Sequence, residues 1–448
     1  MKPIEIIARC KIVTPMLSSG ADQQEFEIRA AEVKAGLRFW WRAFQPWETQ
    51  QLFKKEGELF GSTQTAAPFR IHVRYSDSSI PKWMPDQPHG WGQGLQYFLF
   101  PINKPELKAL NGGHGRPPRP FSPSKIKPGL EGRTVVKPGG IFEISIIFPS
   151  VSSVDQRVMD VLWCLWLLEN FGGLGGRTRR GCGCFEITDI KINDKSLTAE
   201  FEKMNAPQFF MNEGQEPKDF ILKELSAVME LWKTQERTSS PPYSAFYQGL
   251  SEIWVLSDPK TGSHGQAVDT LEALGLHMKN FRLRNPSDEA KAMHQALEEG
   301  RRPPSSSLKG AKGYMGLPII YNFKQDFGRI QGPNLRQNDR NLQYMLTSAK
   351  RKSINNHAME EGCGRRSSPV LISCHQKGIK PYAVICYFPA PILPPEEKMW
   401  FKANIGRGNL DVFCDPPSHT NESSPGRKYA SGLLNSLYSH FKKGACIK

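Results

Sequence analysis

Long apolar runs are missing from this chain. The longest, at 161–168 (VLWCLWLL), falls well short of the roughly 20 residues a membrane-spanning helix needs, so it reads as core. Paired cysteines are missing too. The 9 cysteines are scattered over 448 residues without a single CxxC, which argues against a disulfide framework and fits a reduced, cytoplasmic protein. The 10 histidines form neither HxxxH nor HExxH, and no GK[ST] phosphate loop occurs. The opening MKPIEIIARC lacks the basic-then-apolar order of a secretory signal. Acidic residues are in deficit, 44 against 59 basic ones, for a formal charge of +15. Such an excess makes a field that attracts polyanions, and nucleic acid is the usual partner.

What is present is enough apolar material for a substantial core, 39% of the chain with 10% aromatic. At about 150 residues per domain, the length predicts two or three folding units. The first half alternates strands and helices. A β-branched strand is expected at 4–13, followed by a loop containing Ser18, Ser19, Gly20 and Asp22. A helix is expected at 30–44, with Val33, Leu37, Trp40, Trp41 and Phe44 at helical spacing. A short helix at 52–59 and a strand at 69–75 (FRIHVRY) come next. Residues 76–134, rich in Pro, Gly, Trp and Lys, read as an insertion with a strand at 95–100. The rhythm resumes with a strand at 141–148, an amphipathic helix at 154–171 and a strand at 184–192.

The order is β-α-β-β-α-β, the ferredoxin-like order that RNA-recognition modules share. The reading is therefore α+β, with a first domain at 1–194, a helical connector at 195–248 and a second α+β domain at 249–448. In that second domain a strand at 252–257 and helices at 266–281 and 287–299 are expected. Apolar segments at 317–323, 369–374 and 382–388 and a helix near 433–441 complete it.

The sharpest local feature is 172–184, GGLGGRTRRGCGC, which holds no acid. Its glycines let backbone N–H groups approach an anion, and its arginines add charge-assisted hydrogen bonds to phosphate. The dinucleotide fingerprint fails here, because Thr178 stands where its last glycine belongs and the expected order is helix then strand. The bland alternative is a helix C-cap followed by a tight turn. The expected phosphate-gripping residues are Gly173, Gly175, Gly176, Arg177, Thr178, Arg179, Arg180 and Gly181. On the 30–44 helix, Lys34, Arg38 and Arg42 form a basic stripe, either a track for a nucleic-acid backbone or a solvated face. Trp40 and Trp41 read as core.

Other candidates are weaker. Cys182 and Cys184 make a poor zinc site even with Cys363, Cys374 and His375. His72, His89 and His114 are nominal acid–base groups, and Asp22 reads best as a turn or cap residue. Further basic patches lie at Lys279, Arg282 and Arg284, at Arg301 and Arg302, at Lys350 to Lys352, and at Arg365 and Arg366.

Taken in order, TPMLSSGAD, EIRAAEVKAGLRFWWRAF, ELFGS (58–62) and GGLGGRTRRGCGCFEI (172–187) resemble the RAMP superfamily of CRISPR-associated proteins. More narrowly they resemble the first-listed Cmr subunits of type III-B effector complexes. The resemblance is strong over 1–192 and faint beyond, where RRSSPVLIS (365–373), with Arg366, is the one recognisable piece.

It implies two ferredoxin-like domains carrying the glycine-rich loop; no cofactor is expected, and the cysteine and histidine spacing leads to no metal being expected. It also implies a non-catalytic subunit that caps the 3′ end of a guide RNA and helps hold guide and target RNA among other Cmr subunits. In such complexes a loop aspartate of the backbone subunit cleaves the target, so Asp22, in the comparable loop, keeps a catalytic role open. The competing expectation is a metal-independent RAMP endoribonuclease that processes guide precursors with a histidine. No histidine stands in the first loop, the first helix or the glycine-rich segment.

Overall fold

The computed structural model describes residues 3–22, 25–83, 92–99, 134–149, 153–259, 266–284, 292, 319–322, 343–351, 359–361, 367–391, 393, 397–405, 408–414, 418, 420, 421, 423–439 and 441–447. Chain order begins β1 (Ile4–Ile12), α1 (Ala30–Phe44), α2 (Thr49–Phe60), β2 (Arg70–Arg74), β3 (Lys82–Trp83), α3 (Gln93–Leu99), β4 (Val135–Val136), β5 (Ile141–Phe148), α4 (Gln156–Phe171) and β6 (Phe185–Ile192). A connecting region carries α5 (Thr198–Lys203) and α6 (Pro217–Leu231). Then come β7 (Glu252–Pro259), α7 (Ala267–Arg284), β8 (Ile319–Asn322), β9 (Gln343–Arg351), β10 (Met359–Glu361), β11 (Val370–Lys377) and β12 (Lys380–Tyr387). The last elements are β13 (Glu397–Ile405), β14 (Gly408–Cys414), α8 (Pro425–Tyr438) and β15 (Phe441–Ile447).

The chain is mixed α/β and is built around two four-stranded antiparallel sheets. In the first the spatial order is β2-β5-β1-β6; in the second it is β11-β12-β7-β15. Each uses its four strands in the same relative order. Insertions at corresponding crossovers of the second sheet supply a third, in which β13 runs along β9 while β8 and β10 also pair with β9. Of this third sheet the sequence pattern marks only the apolar segment at 317–323, which contains β8.

In β1 the residues Ile4, Ile6, Ala8, Cys10 and Ile12 alternate inward. The outward face carries a ladder of alternating charge: Arg74 stands opposite Glu143, Glu143 opposite Arg9, and Arg9 opposite Asp189. Opposite charges directly across strands are mutually stabilising. That face holds no aromatic stacking row of the kind RNA-recognition sheets present.

Helix α1 buries the predicted Val33, Leu37, Trp40, Trp41 and Phe44. It stops at Gln45, which the following Pro46 forces into extended backbone. Helix α4 begins where the Asp155 carboxylate accepts from the N–H groups of Arg157 and Val158. It is buried on nearly every side rather than along one stripe. The reason is tertiary. One side packs on α1 and β6 and another on β12, and Ile253, Val255, Tyr382, Val384 and Cys386 of the second sheet share a single core with β1 and α1. The opposite face of the second sheet, with Ile372, Cys374, Ala383 and Ile385, is covered by α7 and α8.

A buried polar network crosses this shared core. Lys377 Nζ on β11 donates to Glu169 Oε1 on α4 at 2.5 Å and to the Phe209 carbonyl at 3.0 Å. Glu169 also accepts from the Ile187 N–H at 2.9 Å, and the Tyr382 hydroxyl donates to Asn170 Oδ1 at 2.8 Å. Lys377 and Glu169 are both buried. Burial raises the Glu169 carboxyl above its ordinary range, and Lys377 opposes that rise.

One expectation is overturned. Residues 95–99 form part of helix α3, not a strand. The helix is capped from the second half of the chain: Glu272 on α7 accepts from the N–H groups of Gly94 at 2.7 Å and Leu95 at 2.6 Å. The two backbones touch where Gly94 meets Gly275, since a Cβ on Gly94 would lie 1.9 Å from the Glu272 carbonyl oxygen. A short apolar run takes the conformation its partner supplies, and here that partner is a helix with an acidic cap. The expected helix at 287–299 lies outside the described residues except for residue 292, and the GGHGRPPRPFSPSK stretch lies outside them altogether.

Candidate nucleic-acid interface

The glycine-rich segment joins α4 to β6 as a compact loop held from both sides. Its glycines serve chain crossing first. Leu174 N–H donates to Gly183 O at 2.9 Å, Gly176 N–H to Leu17 O at 2.7 Å and Gly183 N–H to Pro15 O at 2.8 Å. Gly181 N–H turns back on Thr178 O at 3.1 Å. Several amides expected to face an anion are therefore spent inside the protein. Gly183 sits at φ +74°, and a Cβ there would fall 1.8 Å from the Leu174 carbonyl oxygen. Gly183→Ala is expected to cost at least ~1–3 kcal/mol from the left-handed backbone alone. Thermal unfolding should show a clearly lowered midpoint, and an unchanged one would contradict this account of the loop.

The arginines remain, and the fold gives each a place. Arg177 holds a left-handed conformation at φ 65°. Arg179 lies over the Phe39 ring of α1 at 5.3 Å and donates to the Ser368 carbonyl at 2.8 Å, tying the loop to the strand start of β11. Arg180 pairs with Ile372 of β11 as a parallel β-bridge, and its guanidinium reaches the sulfur of Met278 on α7 at 3.4 Å.

Arg180 is the electrostatic centre of the site. Burial first, then the nearby Arg282, Arg177 and Arg179, push its guanidinium down to about 10, with Tyr97 opposing. Among the described residues no carboxylate pairs with it. Arg282 of α7 donates to the Tyr97 hydroxyl of α3 at 2.8 Å, and Lys279, one turn earlier on α7, donates to Gln93 Oε1 at 2.8 Å. Loop and α7 thus gather cations from two distant stretches of sequence, with Gln93 and Tyr97 of α3 accepting from the α7 pair. Lys279 and Arg282 stand out in the sequence as a basic patch, but nothing there joins them to the loop, because that junction depends on α3 docking against α7. Burying like charges together is unfavourable, and a nearby anion would offset that cost.

The α1 stripe lies elsewhere and is already partly compensated. Arg38 Nε contacts Glu56 Oε1 of α2 at 2.6 Å, and Arg42 Nε contacts Glu56 Oε2 at 3.5 Å. Lys34 sits 5.5 Å from the Phe69 ring, and burial, then Arg38, lowers its affinity for a proton. Between this stripe and the loop runs the 237–244 segment. Arg237 donates to the carbonyls of Arg42 and Gln45 at the end of α1, and Ser244 Oγ meets Arg179 at 3.4 Å. Arg366, together with Arg301, Arg302, Lys352 and Arg365, lies outside the described residues.

Chemistry-bearing alternatives recede. Cys182, Cys184 and Cys374 do come together, but all three are buried free thiols, and burial raises each, Cys184 to about 11. Among the described residues no group of three or more potential ligands could hold a metal ion. His375 is buried and stacked on Tyr382, and burial, with Lys377 nearby, pushes it down to about 3. It is a neutral core group. His72 lies on the exposed side of β2, and Asp22 in an exposed loop; His89, His114 and Cys363 lie outside the described residues. No helix among the described residues is long and apolar enough to cross a membrane.

Residues 9–186 match the model of the RAMP superfamily, so the resemblance carried by the motifs holds over this part of the chain. The chain is 28% identical over 201 residues to CRISPR system Cmr subunit Cmr1-2 of Pyrococcus furiosus, covering 42% of this chain and 97% of that protein. It is 25% identical over 186 residues to Cmr1-1 of the same organism, covering 40% of this chain and 47% of that protein. The fold is similar to the crystal structure of Cmr1 from Pyrococcus furiosus in its apo form. The TM-score is 0.52 at 19% identity, over 99% of this chain and 98% of that one.

Proposed function

We propose that this chain is a non-catalytic RNA-binding subunit of a type III-B CRISPR (Cmr) effector complex. In this reading it caps the 3′ end of the guide RNA and helps hold guide and target RNA beside other Cmr subunits in the cytoplasm. The observation that carries the RNA-binding reading is the cation cluster around Arg180, where loop, α3 and α7 meet without a carboxylate for Arg180 among the described residues. The relatives named as Cmr subunits support the assembly. Both four-stranded sheets are read as ferredoxin-like, with domains at 1–194 and 249–448 joined by the 195–248 connector. The identical strand orders support that division.

In this reading the side chains of Arg177, Arg179 and Arg180, with those of Lys34, Arg38, Arg42 and Arg366, supply the phosphate contacts. Sequence is then read by the guide, and this chain reads backbone and shape. Tagging the protein in its own host, purifying it gently and sequencing the bound RNA tests this directly. Enrichment of repeat-spacer guide RNA, with other Cmr subunits present, is expected. Broad cellular RNA, or none, would overturn the assembly. Cleavage of labelled precursor RNA in the presence of chelator would move the reading to the endoribonuclease.

A further inference from the structure

We propose an anion site for a phosphate group, apart from the cluster at Arg180, between the end of α1 and the segment at 237–244, with Arg237, Gln45 and Ser240 as its donors. It does not depend on the RNA-binding reading. Arg237 is 7% exposed, and its Nη2 donates to the carbonyls of Arg42 and Gln45. Its Nε and Nη1 are buried without a hydrogen-bond partner. So are Gln45 Nε2, on a residue 1% exposed, and Ser240 Oγ, three residues beyond Arg237. Leaving buried donors unpaired is costly, and several of them on two touching segments call for an acceptor.

The end of α1 does not need these donors. Its carbonyls at 42–45 are all taken: Arg42 and Gln45 by Arg237 Nη2, Ala43 by the Phe246 N–H at 2.8 Å and Phe44 by the Thr234 hydroxyl at 2.6 Å. An acid could have completed Arg237, but among the described residues no carboxylate forms an ion pair with it. Glu48 lies within electrostatic reach, yet its Oε1 already accepts from the hydroxyls of Ser239 at 2.7 Å and Thr238 at 3.4 Å. What is left is a set of donors short of an acceptor. An oxyanion carries acceptors alone, so it is the ligand class that satisfies guanidinium, amide and hydroxyl together.

The site has an outer edge. Tyr243 is half-buried; burial raises its hydroxyl, and Arg237 and then Arg42 oppose that rise, so the phenol lies within electrostatic reach of both guanidiniums. Arg42 is held by Glu56 and is not counted among the donors. The segment then runs on to Ser244, whose Oγ meets Arg179 at 3.4 Å. A phosphate held here therefore sits between the α1 stripe and the glycine-rich loop. The same donors recognise an RNA phosphodiester or free phosphate.

The test is thermal unfolding of the full chain in chloride and in inorganic phosphate at equal ionic strength, for wild type, Gln45→Glu and Ser240→Ala. Arg237 Nη2 already meets the Gln45 carbonyl, so the new carboxylate stands beside the guanidinium and competes with the anion. Ser240 Oγ has no hydrogen-bond partner to lose. About 20 mM phosphate is expected to raise the wild-type midpoint by about 2 °C more than that of Gln45→Glu, with Ser240→Ala in between. Phosphate also stabilises proteins by exclusion from their surface, and the variants subtract that part. Where Gln45→Glu fails to fold, the comparison with Ser240→Ala decides. Equal rises in all the proteins, or none in any, would overturn the site, the donors then being met by water. If a saturating single-stranded oligoribonucleotide abolishes the wild-type increment, the occupant is an RNA phosphate; if the increment persists, the site stands as one for free phosphate. A wild type that takes phosphate but no RNA leaves this site standing while the RNA-binding reading falls.

Discussion

Lys377→Met is expected to cost about 3–5 kcal/mol of stability, because it strands a carboxylate in the core. Glu169 is buried on α4, and its charge is compensated by the Lys377 ammonium at 2.5 Å. Removing the ammonium also leaves the Phe209 carbonyl without the Lys377 hydrogen bond. The double variant Glu169→Gln with Lys377→Met should be less damaged than Lys377→Met alone, since it buries no uncompensated charge.

The pH dependence has a definite sign. Burial already raises the Glu169 carboxyl above its ordinary value of 4.5, and Lys377 lowers it. Without Lys377 the folded state binds that proton more tightly than the unfolded state does. The associated stability is then fully present below the ordinary carboxyl value and lost as pH rises through the raised one. The Lys377→Met variant should therefore gain stability relative to wild type as pH falls from 7 toward 5. Chemical denaturation at both pH values checks this, and a variant whose deficit is the same at each would show that Glu169 is not the strained group.

The second large effect concerns the loop. Replacing Arg177, Arg180 and Arg282 together by glutamine should flatten the salt dependence of RNA binding by about 2 units of log–log slope, at roughly 0.7 per phosphate contact on a single strand. Stability should move the other way. Arg180 is held down to about 10 by burial and by three other arginines, so relieving it removes repulsion as well as desolvation. Arg180→Met alone, placed beside Met278, is expected to melt at or above the wild-type temperature while binding RNA less tightly. That opposition separates a functional arginine from a structural one, whose loss would lower both. Equivalent changes at Arg38 and Arg42 should reduce the slope less, because Glu56 already compensates them.

Much of the first half was legible because its burial is local. The apolar spacing of α1, the strand at 141–148 and the helix leading into the glycine-rich segment follow from period and turn residues alone. What was not legible depends on contact between distant stretches. Helix α4 reads as one-sided because the sequence does not reveal that β12 covers another side. Residues 95–99 read as a strand because the acid that caps their helix, Glu272, lies far along the chain. The loop arginines were visible as charges, but their company was not: Arg282 and Lys279 reach the site only through the packing of α3 on α7. In sequence the glycines look like anion cradles, whereas several of the loop amides are committed to Leu17, Pro15 and each other.

The most direct test of the central claim is photo-crosslinking of single-stranded RNA to the full chain, followed by mapping of the modified peptides. Crosslinks in 172–184 and in α7 around Lys279 and Arg282 are predicted, fading as salt rises. Crosslinks confined to the outward face of the first sheet, around Arg9, His72 and Arg74, would contradict the account. The RNA would then lie on the open sheet as in an RNA-recognition module, and the cluster at Arg180 would be structural.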